Sequence, residues 1–92
     1  MLRFEDLSHH QINELKSEDS CAIITNKFQY KGWFGGDKFK MTIIYIPPSQ
    51  RDKNPFKYYE MTRKAPPEIY HKFQVGDFIT HPLFDREHPR AL

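Results

Sequence analysis

The sequence holds one cysteine, Cys21, so no internal disulfide can form. A reducing, cytoplasmic setting is the matching expectation. No run approaches the roughly 18 consecutive apolar residues that a membrane-spanning helix requires. No charged-then-apolar secretion signal opens the chain, since Met1-Leu2-Arg3-Phe4-Glu5-Asp6 is polar by its fifth residue. A membrane partner is therefore not expected. The signatures of bound chemistry are missing as well. There is no phosphate-binding glycine loop, nucleophile elbow or dinucleotide fingerprint. The five histidines, His9, His10, His71, His81 and His88, follow no zinc-ligand spacing and have no second cysteine to join them. No metal, cofactor or catalytic residue is assigned on these grounds.

Apolar residues are also scarce, at 38%, and the mean hydropathy is −0.77. Aromatic residues make up 15% of the chain, so a core can be built from few, large side chains. That content also argues against intrinsic disorder. The 92 residues supply material for one domain, 1–92, and leave no room for a separate cofactor domain.

The net charge of +2 conceals a block pattern. Residues 1–26 sum to −3, residues 27–74 to +6 and residues 75–92 to −1. The basic middle also contains eleven of the fourteen aromatic residues. Lysines that follow phosphates and rings that stack under bases are what a single-stranded nucleic acid site requires. The competing reading places the rings in the core and leaves the lysines to solubilise the outer strand faces.

Local signals define the elements. Ser8-His9-His10-Gln11 fits a capping box, and Leu7 with Ile12 fits a hydrophobic staple, which predicts a helix over about 9–17. A helix that short must lie against something. Residues 21–31 read as a strand, with Ala22, Ile24, Phe28 and Tyr30 expected on one face. Residues 38–46 alternate too, with Phe39, Met41, Ile43 and Tyr45 on one side and Lys38, Lys40, Thr42, Ile44 and Ile46 on the other. The glycine-rich link between these runs predicts an antiparallel hairpin. Further strands are expected at 57–63 and 77–81, with one helical turn from Pro67 to Phe73 between them and a flexible tail over 85–92. The expected class is α+β: a short N-terminal helix, then a small, mostly antiparallel four-stranded curled sheet or open barrel.

The sharpest local feature is Trp33-Phe34, set between Gly32 and Gly35-Gly36 at the hairpin tip. Two large rings there either meet a partner or fold back to cap the sheet. Phe28, Tyr30, Phe39 and Tyr45 could form a ring platform or fill the core. The candidate binding residues are Lys27, Tyr30, Lys31, Trp33, Phe34, Lys38 and Lys40. The leading expectation is a non-enzymatic module that meets DNA or RNA through this basic, aromatic hairpin. One alternative is a phage-like or mobile-element accessory protein that inhibits or modulates a host enzyme by protein–protein contact. The other is a small ribonuclease-type enzyme using His71, His81, Arg63, Lys64 and Tyr59.

Overall fold

In the computed structural model, which describes residues 2–17 and 21–80, helix α1 spans His9–Ser17. Its start is fixed as the sequence implies. The Ser8 backbone N–H donates to Gln11 Oε1 at 2.9 Å, and the Gln11 N–H donates to Ser8 Oγ at 3.1 Å. Strand β1 runs Cys21–Lys31, β2 Asp37–Tyr45, β3 Tyr59–Lys64 and β4 Phe78–Thr80, with helix α2, Pro67–Lys72, between the last two strands. All pairings are antiparallel and the strand order is β3-β2-β1-β4. Three hairpin-connected strands with the fourth returning beside the first is a Greek-key order. The sheet curls into an open half-barrel whose edges are β3 and β4.

Each face carries a compact apolar cluster. On the back face Ala22, Ile24, Met41, Ile43, Ala65 and Ile79 are buried, and Ile69, Tyr70 and Phe73 from α2 and its C-terminal end pack over them. On the front face Ile23, Ile44 and Ile46 are buried with Leu15 of α1 and Leu7. Phe4, Ile12, Phe56 and Phe78 close over that cluster. The front-face cover ends there.

One irregularity decides which residues lie beyond that cover. The β1–β2 register shifts between Ile24 and Asn26, so Thr25 is an extra residue. The bulge reverses the in-and-out phase of everything after it. Ile24 opposes Ile43 on the back, whereas Phe28 opposes Lys40 and Tyr30 opposes Lys38 on the front. Ala22 and Ile24 therefore do not share a face with Phe28 and Tyr30, contrary to unbroken alternation. The bulge is anchored on two sides. Leu2 N–H donates to the Thr25 carbonyl at 2.8 Å, and the buried Thr25 hydroxyl donates to the Thr42 carbonyl at 3.3 Å.

The third strand also departs from expectation, starting at Tyr59 rather than residue 57. The two preceding residues are engaged elsewhere. Tyr58 stacks on Phe4 with centroids 4.0 Å apart and planes 5° from parallel, and the Lys57 N–H donates to Gln50 Oε1 at 3.1 Å. The expected tail over 85–92 lies outside the described residues.

Candidate functional site

Beyond the bulge β1 has no β4 partner, and past the Phe28–Lys40 pair β1 and β2 run on as a two-stranded arm. The pairing with β4 reaches only Ile23 on β1, and the pairing with β3 starts at Lys40 on β2. On the front of this arm two rows stand side by side. Phe28 and Tyr30, 41% and 36% exposed, form a ring row on β1. Lys40 and Lys38 form an ammonium row directly opposite them on β2. Directly opposed residues share a face and lie within side-chain reach. The charge row continues onto β3, where Lys64 opposes Lys40. Thr62 sits next to it, its hydroxyl 2.8 Å from that of Thr42. A shallow open groove is lined by Phe28, Gln29, Tyr30, Lys40 and Thr62. A second depression, at the edge of the sheet, shares Tyr30 with it and is also lined by Asp37, Lys38, Phe39, Lys64, Ala65 and Pro67.

The Lys40 ammonium lies 5.2 Å from the centre of the Tyr30 ring. Such a cation–π contact at an exposed site is worth about 0.5–1 kcal/mol. The Lys40–Lys64 pair works in the other direction, because like charges placed directly across a sheet destabilise it. The one carboxylate on the front face of β3 is Glu60, which opposes Ile44 rather than the lysines.

The turn explains the tip. Gly35 N–H donates to the Gly32 carbonyl at 3.1 Å, and Gly32 N–H donates to the Gly36 carbonyl at 2.8 Å. Gly35 has φ +84°, while Trp33 and Phe34 do not have positive φ. This is a type I turn closed by a left-handed glycine, a common three-residue hairpin loop. Trp33 and Phe34 occupy its two central positions, and both are fully exposed, at 98% and 103%. The tip does not fold back onto the sheet.

The seven sequence-derived candidates thus divide. Tyr30, Lys38 and Lys40 meet on the front face, and Trp33 with Phe34 stand at the end of the same arm. Lys27 and Lys31 lie on the back. The Lys27 ammonium donates to the Phe73 carbonyl at 2.8 Å and sits 4.2 Å over the Tyr70 ring. It thereby satisfies a carbonyl at the C-terminal end of α2, a place that favours cations. Lys31 pairs with Asp37 at 2.9 Å. The Lys31 hydrogen bond, and then its charge, hold the Asp37 carboxyl below its usual range.

Phe28 and Lys64, which the sequence offered only for a ring platform and for a ribonuclease set, complete the front-face array. The four-ring platform separates, because Phe39 and Tyr45 are on the back. Phe39 packs against Tyr70 at 4.5 Å, and Tyr45 against Tyr59 at 5.7 Å. The ribonuclease set is split between the two faces. Arg63 and Tyr59 are on the back face, Lys64 is on the front, and His71 lies on α2 with its ring 5.3 Å from Phe39. His81 is outside the described residues. Among the described residues no three His, Cys, Asp or Glu side chains cluster in a metal-binding arrangement. Among the same residues no helix is long and apolar enough to cross a membrane. No protein-family model, curated protein or solved structure matches this chain.

Proposed function

We propose that this chain is a small non-enzymatic module that binds nucleic acid across the front of its β1–β2 arm. One observation carries the reading: a row of rings, Phe28 and Tyr30, is matched residue for residue by a row of lysines, Lys40 and Lys38, on an uncovered face. Base faces and phosphates form two parallel rows in a nucleic acid strand, and the arm offers a complement to each. The Lys40–Lys64 opposition adds to this. A self-repelling pair weakens the free protein and is relieved when an anion arrives. Lys40 now occupies one face of the Tyr30 ring. A base taking its place exchanges a contact of about 0.5–1 kcal/mol for stacking of about 1–3 kcal/mol. The ammonium is then released toward the phosphate. A cytoplasmic setting fits this reading, since nucleic acid is at hand there and a lone cysteine stays reduced.

The test is binding of a labelled oligonucleotide by fluorescence anisotropy at low salt. Reversing Lys38 and Lys40 together, as K38E/K40E, is expected to lower affinity at least tenfold while the circular dichroism spectrum stays unchanged. Equal binding by the reversed variant contradicts the proposal.

The bare Trp33-Phe34 tip favours a second reading, a modulator that anchors its rings in a pocket of a host enzyme, since tryptophan is a preferred anchor at protein interfaces. Salt separates the two. Phosphate contacts weaken steeply with ionic strength, whereas a buried aromatic anchor responds little.

A further inference from the structure

The geometry points to a narrower ligand, and this inference rests on the nucleic-acid reading above. We propose that the arm takes an extended single strand, with one unpaired base on Phe28, a second on Tyr30 and the next at Trp33-Phe34. Alternate residues on an antiparallel strand are about 6.8 Å apart. Successive bases stacked in a helical strand are about 3.4 Å apart. One base per ring therefore requires bases pulled to about twice their helical separation, which a relaxed duplex does not offer. A duplex also seals its base faces inside the stack, where rings standing on a sheet do not reach them.

The arm is built for such a strand along its whole length. The ring row leads from Phe28 through Tyr30 toward the turn, where Trp33 and Phe34 project fully into solvent. Their outward aim is set by the type I geometry and the left-handed Gly35, so these rings are presented without a folding motion. The lysine row is parallel to the path, and Lys64 extends it sideways on β3. Every base has a flat face, so the site reads strandedness rather than sequence. On the back of the arm the counterparts are engaged. There Lys27 is engaged with α2, Lys31 with Asp37, and Phe39 is buried.

Trp33 is the only tryptophan in the chain, so its emission reports on the tip alone. The experiment titrates wild-type protein with a ten-nucleotide mixed-sequence single strand, and with the same sequence as a duplex, at low salt. Anisotropy and Trp33 emission are read together. The expected result is at least tenfold tighter binding of the single strand, with Trp33 emission quenched in step with the anisotropy change. Phe28→Leu and Tyr30→Leu are each expected to weaken the single-strand complex about tenfold and to leave weak duplex binding unchanged. The wild-type comparison stands even if a variant fails to fold. Duplex binding as tight as single-strand binding overturns this inference and leaves the nucleic-acid reading in place. Anisotropy that rises with no change in Trp33 emission removes the tip from the site. Failure to bind either form overturns both. An emission shift with anionic phospholipid vesicles, and none with oligonucleotide, overturns both in favour of a lipid surface.

Discussion

Lysines of the same charge have opposite duties here, and substitution separates them. Lys27 is half-buried and holds the Phe73 carbonyl at 2.8 Å. Lys27→Met is expected to lower stability by about 1–2 kcal/mol, measured by urea unfolding, and to leave oligonucleotide affinity unchanged. Lys64 is exposed and opposes Lys40. Lys64→Glu is expected to raise stability by about 0.2–1 kcal/mol, because repulsion becomes attraction across the strands. The same change weakens binding, so the two measurements move in opposite directions. Asp37 supplies a third case. Its lowered carboxyl pKa keeps it ionised at neutral pH and keeps Lys31 occupied. The pair's small contribution is present above the ordinary carboxylate value and is lost as pH falls through the depressed one. Both groups are well exposed, so Asp37→Asn is expected to leave the thermal midpoint nearly unchanged. Removing the Asp37 charge beside Tyr30 and Lys38 is then expected to raise oligonucleotide affinity modestly, read by anisotropy.

At the scale of elements, the hairpin turn and the bulge set the arm's two ends. Gly35 at φ +84° has open space around an added Cβ, so the cost of Gly35→Ala is conformational rather than steric crowding. That substitution is expected to cost about 1–2 kcal/mol in urea unfolding and to disturb the presentation of Trp33. The turn was legible in the sequence, because Gly32 and Gly35-Gly36 bracket two non-glycine residues between alternating runs. The helix start was legible for a similar reason, since Ser8 and Gln11 carry their own capping chemistry. The bulge was not. Ala22, Ile23, Ile24 and Thr25 are buried on both faces at once, so that stretch carries no phase, and a one-residue shift inside it leaves no trace in the pattern. The front-face pairing of Phe28 with Lys40 depends on that shift and stayed hidden with it. Lys64 was hidden for another reason: its place opposite Lys40 is a long-range register between β2 and β3.

For the molecule as a whole, the division of labour follows the cover on the sheet. The back face is closed by α2, and the front face is closed only at the end where α1 and the N-terminal segment pack. A domain of this size holds about 5–15 kcal/mol of net stability. Ile44 is completely buried in the front cluster, and Ile44→Ala is expected to cost about 2–5 kcal/mol, a large fraction of that total. The front of the arm belongs to neither cluster and is free to carry charge and exposed rings. The most direct measurement is the salt dependence of single-strand affinity for the wild type and for Lys38→Gln/Lys40→Gln. With Lys38, Lys40 and Lys64 each meeting a phosphate, the slope of log affinity against log salt is expected near about −2, falling to about −0.7 when only Lys64 remains. A slope unchanged by removing both lysines, or no salt dependence at all, contradicts the assignment of the front face as the binding surface.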